Sequence, residues 1–128
     1  MTVPTTHAQG ELLTQVNPSV TTAQTILTAD ELRIEVTLIL VVNRNVSAEL
    51  VQLYHDDDGT TYNAGTEIKH TDIQPNSDAV LFQAQHPGSG ILIKPGGSLG
   101  LQVEVANDLT VSVYGITETL ADRVRGIR

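Results

Sequence analysis

Ile91-Leu-Ile-Lys-Pro-Gly-Gly-Ser-Leu-Gly-Leu-Gln-Val-Glu-Val-Ala-Asn-Asp-Leu-Thr-Val-Ser-Val-Tyr-Gly115 reads as two strands joined by a tight turn. Leu99, Leu101, Val103 and Val105 alternate with Gly100, Gln102 and Glu104. After Ala106-Asn107-Asp108 the alternation resumes, with Leu109, Val111 and Val113 set against Thr110, Ser112 and Tyr114. A period of two places the apolar members of a strand on one face. Asn and Asp tolerate the left-handed backbone of a short turn, so Asn107-Asp108 is expected at the tip of a hairpin. Pro95-Gly96 carries the signature of a type II turn, with Pro second and Gly third.

Working outward, Thr21–Thr28 holds a candidate first strand centred on Ile26 and Leu27. Leu32–Val42 is the longest candidate. Leu32, Ile34, Val36, Leu38, Leu40 and Val42 share one parity, while Arg33, Glu35 and Thr37 on the other are followed by Ile39 and Val41. A strand that starts half wet and ends dry on both faces is expected at the centre of a sheet or against a second buried contact. Asn43-Arg44-Asn45 is a turn signal before Val46–His55, so residues 32–55 read as a second hairpin. Tyr62, Ile68, Ala79–Ala84 and Ile91–Ile93 mark shorter strands between loop-like Asn63-Ala-Gly65, Gln74–Asp78 and His86–Gly90. Turn signals recurring at such intervals are the pattern of an antiparallel sandwich. Residues 118–125 are the one passable helical stretch, with Leu120 and Val124 four apart, and read equally well as a tail.

A chain of 128 residues is expected to form one domain. With 40% apolar but only 3% aromatic residues, its core must be built from Val, Leu and Ile. The formal charge of −8 argues against sequence-independent nucleic-acid binding, which needs clustered Lys and Arg. Without cysteine there is no disulfide, thiolate site or cysteine nucleophile. The first seven residues do not read as a signal peptide, and the longest apolar run, Leu38–Val42, is far too short to span a bilayer.

Chemistry-bearing motifs are sparse. Asp56-Asp57-Asp58-Gly59 offers oxygen ligands for a hard cation, but its spacing is not that of a calcium loop, and the same residues build turns unaided. His7, His55, His70 and His86 show neither the i, i+4 nor the i, i+2 spacing of a zinc pair, and His55 has no nucleophile marked by a motif. Gly96-Gly97-Ser98 precedes a strand and lacks the ending of a phosphate loop. Tyr54, Tyr62 and Tyr114 are a thin set for stacking sugars and read as amphipathic residues at the core's edge. No cofactor, metal or catalytic residue is expected. Residues 1–20 read either as a mobile tail or as an arm that orders on a neighbour through Leu12, Leu13 and Val16. Arg123, Arg125 and Arg128 form a short basic tail that pairs with another subunit or stays solvated.

Leu50-Val-Gln-Leu-Tyr-His-Asp-Asp-Asp-Gly59, Lys94-Pro-Gly-Gly-Ser-Leu99 and the run from Asn107-Asp108 to Val113-Tyr-Gly-Ile116 together resemble small β-sandwich proteins of tailed bacteriophage virions. The resemblance covers residues 32–117. It implies a virion structural component: a capsid decoration (cement) protein, often trimeric, that stabilises the head by bridging major capsid subunits, or an adaptor of the neck or tail. It brings no catalytic residues with it.

The expectation is therefore an all-β antiparallel sandwich or jelly-roll-like domain of seven to nine strands over residues 21–117. An N-terminal arm (1–20) and a C-terminal tail (118–128) flank it. The chain is expected to be a non-enzymatic homo-oligomer located in the virion, with Leu12, Leu13, Val16, Ile39 and Val41 at subunit seams and Arg123 and Arg125 against a partner. Neither membrane nor nucleic acid is an expected partner. A carbohydrate- or receptor-binding module using Tyr62 and Asp56–Asp58 is the second reading, and a hydrolase built on His55 the third.

Overall fold

The computed structural model describes residues 10–86 and 88–118. Nine antiparallel strands, with no helix among the described residues, form two sheets. In chain order they are β1 (Glu11–Val16), β2 (Gln24–Thr28), β3 (Ile34–Asn43), β4 (Glu49–Asp56), β5 (Glu67–Ile73), β6 (Ser77–Gln83), β7 (Ile91–Ile93), β8 (Ser98–Val103) and β9 (Leu109–Thr117). The first sheet has the order β1-β9-β3-β6, with β7 pairing the other half of β3 along the same edge as β6. The second has the order β2-β8-β4-β5. The chain is thus the antiparallel β-sandwich that the alternation implies.

The core between the sheets is aliphatic. Val36, Ile39, Val41, Ile93, Leu109, Val111 and Val113 from the first sheet meet Val51, Leu53, Ile73, Leu99, Leu101 and Val103 from the second. Each of these is at most 2% exposed. Branched aliphatic side chains on two facing pleated surfaces interdigitate into one layer, which is the basis of sandwich stability.

Two expected hairpins are not hairpins. β8 and β9, joined through Asn107-Asp108, lie in different sheets, β8 between β2 and β4 and β9 between β1 and β3. β3 and β4 are likewise separated. Both connections are arches that carry the chain across the core, so consecutive strands pack face to face and do not share a hydrogen-bond ladder. Among the described connections, β4–β5 is the hairpin. The local turn chemistry is nonetheless as read. Asn107 has φ 72°, and Gly96 has φ 93° within a turn closed by Gly97 N–H donating to Lys94 O at 2.8 Å.

Strand β3 holds a second correction. Its register with β9 steps from Val36↔Gly115 to Leu38↔Tyr114, leaving Thr37 as a bulged residue. Thr37 is only 2% exposed, and its hydroxyl donates to Tyr114 O at 3.4 Å. An extra residue in one strand shifts the parity of everything after it. Ile34 and Val36 point inward before the bulge, and Ile39 and Val41 point inward after it. Ile39 and Val41, expected at a subunit seam, are therefore fully buried in this chain's own core. The outward-facing residues are Leu38, Leu40 and Val42.

Within the expected N-terminal arm, residues 11–16 form β1, paired to β9 of the same chain. The register skips Leu13, which turns toward the core together with Val16, while Leu12 stays half exposed on the outside. Residues 1–9 of the arm and the tail residues Arg123 and Arg125 lie outside the described residues.

Candidate interaction surface

The two outer faces of the sandwich differ. That of the second sheet carries a lid of its own chain over Gly100 and Tyr54. The loop after β4 folds back so that Tyr62 lies over Gly100, where an added Cβ would come within 2.6 Å of the ring. The Tyr62 hydroxyl sits 2.7 Å from both Thr25 Oγ1 and Ser98 Oγ, and Ser98 Oγ in turn donates to Gly59 O. Tyr54 stacks obliquely on Tyr62, with ring centroids 5.7 Å apart, and donates to Gln102 Oε1 at 3.0 Å. Only glycine at position 100 leaves room for this lid. Glu67 completes the polar cover by accepting from Gln52 Nε2 and pairing with His70, which hold its carboxyl below the usual range.

No comparable cover lies over the first sheet among the described residues. Its outward residues fall into cross-strand rows: Leu12–Tyr114–Leu38–Gln83, then Gln15–Ser112–Leu40–Val80, then Thr110–Val42–Asp78. Leu12, Val42 and Val80 are 50%, 41% and 52% exposed. Toward the other end, Leu92 and Ile116 flank Glu35 and are also exposed. Glu35 is drawn aside, its carboxylate accepting from Gly88 N–H at 3.0 Å and Gly90 N–H at 2.8 Å. A sheet with one solvated face normally alternates apolar-in with polar-out. Here Leu12, Leu38, Leu40, Val42 and Val80 stand outward among the uncharged Tyr114, Gln83, Gln15, Ser112 and Thr110, and charge enters at the ends with Asp78 and Glu35.

The other expected site residues have structural work. Asp56 is 7% exposed and accepts from Asp58 N–H at 3.2 Å and Thr61 N–H at 2.7 Å. The Thr61 bond, followed by that from Asp58, holds the Asp56 carboxyl below its ordinary range. Asp57 pairs with Lys94 at 3.1 Å. Among the described residues, no group of three or more His, Cys, Asp or Glu is placed to hold a metal ion. His55 sits opposite Leu99, its Nε2 buried with no hydrogen-bond partner among the described residues. His70 is at the edge strand β5 and His86 in the loop after β6. The three described histidines are thus distributed over separate elements and not gathered at one site.

Leu38, Leu40, Val42, Val80, Leu92 and Ile116 were not singled out by sequence reasoning as a surface. Leu40 and Val42 share with Ile39 and Val41 the doubly apolar run that signalled a two-sided strand, but which parity faces out depends on the bulge at Thr37. No protein-family model, curated protein or solved structure matches the chain.

Proposed function

We propose that this chain is a non-enzymatic structural subunit that self-associates through the outer face of its first sheet, as a homo-oligomer built into a larger assembly. The observation that carries this reading is the group of outward aliphatic side chains Leu12, Leu38, Leu40, Val42 and Val80 on that face, with no charge among them, beside a second sheet whose outer face is lidded by its own loop at Tyr62. Contiguous exposed apolar surface is a mark of association sites. The face measures about 30 Å along β3 and about 20 Å across four strands. That is of the same order as the ~800 Å² per partner buried in a standard interface. A second copy is the occupant with matching chemistry, because apolar surface meets the same patch across a two-fold axis or a different patch of the neighbour around a three-fold.

The finer reading rests on the resemblance to small virion β-sandwiches. In it the oligomer is a trimeric capsid decoration protein that stabilises a phage head by bridging major capsid subunits, with a neck or tail adaptor as the alternative. Its mechanism is mass action: each clamp that binds only the assembled shell adds its binding free energy to the shell's stability. The carbohydrate-module reading has less support, since the Tyr62 hydroxyl and the Asp56 carboxylate are both engaged internally.

The test is solution mass by light scattering across a dilution series, on the full chain and on Val80→Lys. A multiple of the 13.7 kDa chain mass that falls to the monomer in the variant is the expected result. A wild-type monomer at every concentration, or an oligomer indifferent to Val80→Lys, would overturn the reading.

A further inference from the structure

One end of the first sheet's outer face carries two charges that the chain itself leaves unpaired. Val42 and Asp78 are partners across β3 and β6, and Arg44 follows just past the end of β3. With Asn43, Asn76 and Ser77 they line a depression of about 240 Å³. The Asn43 amide is taken up by Ser47 O, Ile73 O and Gln74 O, and the Ser77 hydroxyl donates to Gln74 O at 3.0 Å. Arg44 and Asp78 are exposed, and neither charged group makes an ion pair among the described residues. The other described cations stand differently. At the opposite end of β3 Arg33 pairs with Glu118 at 3.4 Å, Lys94 pairs with Asp57 at 3.1 Å, and Lys69 lies on β5 in the other sheet.

A chain with a net charge of −8 repels its own copies, so a contact between copies gains wherever a cation meets an anion. Contacts across a two-fold axis are reciprocal: where residue i meets residue j of the partner, j meets i. An arginine and an aspartate beside one depression suit that rule. An axis along the seam between β3 and β6 sets β3 of each copy over β6 of the other. Leu40 and Val42 then face the second copy's Val80, and Arg44 reaches into the depression that holds the second copy's Asp78. The depression has the space of about eight waters at ~30 Å³ each, enough for a guanidinium head of four heavy atoms. Guanidinium and carboxylate can meet through two parallel hydrogen bonds, which fixes orientation as well as charge.

We propose that Arg44 and Asp78 form the reciprocal ion pairs of a two-fold contact between copies of this chain, holding the aliphatic side chains of β3 in register over those of β6. This rests on the assembly reading and deepens it, and it selects a two-fold contact over the three-fold of a trimer. Apolar surface drives the association, while the two pairs fix which strand lies over which.

The test uses the full chain and two charge reversals, Arg44→Asp and Asp78→Arg, with mass and dissociation constant read by light scattering across a dilution series. In a two-fold contact either reversal alone sets like charges together at both pairs, so self-association of each variant should weaken about 10-fold or more. Mixed in equal amounts, the two variants restore opposite charges at both pairs and should form a one-to-one heterodimer as tight as the wild-type dimer. Circular dichroism establishes that each variant is folded. Should a reversal not fold, Arg44→Gln takes its place, and its dimer should be weaker than the wild type and less sensitive to salt. Folded reversals, or Arg44→Gln, that associate as the wild type does while Val80→Lys does not would overturn the ion pairs and leave the assembly reading standing. Folded variants that stay monomeric when mixed, or a trimeric wild type, would overturn the two-fold contact. A wild type that is monomeric at every concentration would overturn the assembly reading and this inference with it.

Discussion

Replacing two adjacent residues of β3 separates the inside of this protein from its outside. Ile39 is fully buried and its neighbour Leu40 is on the outer face opposite Ser112 and Val80. Ile39→Ala removes three buried carbons, about 2.4 kcal/mol of transfer free energy at roughly 0.8 kcal/mol per carbon. A cavity that relaxes only partly brings the total to about 3–4 kcal/mol. That is a large share of the ~5–15 kcal/mol that holds a typical domain together. Leu40→Ala removes the same number of carbons from a half-exposed site and leaves no cavity, so about 1 kcal/mol is expected in the monomer. Urea unfolding at low protein concentration, read from the midpoint at constant slope, measures both. Light scattering at high concentration gives the second half of the comparison: Leu40→Ala should weaken self-association more than Ile39→Ala. Equal destabilisation by the two variants, or a stable Ile39→Ala that no longer associates, would refute the placement of the bulge at Thr37 and the face assignment built on it.

Gly100→Ala should lower stability by about 1–3 kcal/mol through overpacking, because its methyl would enter the space of the Tyr62 ring. Adding Tyr62→Ala should remove most of the further cost of the alanine, giving a non-additive double-mutant cycle in thermal unfolding. Asp56 gives the fold a pH dependence on the acid side. Its folded-state carboxyl is held low by the Thr61 and Asp58 amides, so its contribution is present above the unfolded-state value and is lost as pH falls through the folded one. Asp56→Asn should therefore flatten part of the acid limb of a melting-temperature profile measured below pH 5, and an unchanged acid limb would contradict that role.

The candidate surface was only half legible in the chain. The run from Leu38 to Val42 reads as a strand dry on both faces, yet only the face of Ile39 and Val41, the pair expected outside, is buried, and Val42 on the other is 41% exposed. Counting alternate residues from Ile34 carries the wrong parity past Thr37, and nothing about a lone threonine marks it as the bulged position. The bulge exists because β9 brings Tyr114 O to the Thr37 hydroxyl and pairs with β3 on both sides of it. Those contacts span more than seventy residues of chain. Leu12 and Leu13 met the same difficulty. Read as anchors of an arm, they lie in a strand whose own register skip sends Leu13 inward and Leu12 outward.

The sequence by itself determined the all-β class, the places of most strands, an aliphatic core, and the local backbone at Asn107 and Gly96. These depend on neighbours in the chain: a period of two, branched side chains, and residues suited to a left-handed or type II turn. Tertiary structure alone decided which strands pair, that the connections through Asn43–Asn45 and Asn107-Asp108 cross the core as arches, and which outer face is covered. Alternation records that a strand has a buried face. The same pattern serves whether the next strand lies beside it in one sheet or opposite it across the sandwich, and packing between distant segments makes that choice.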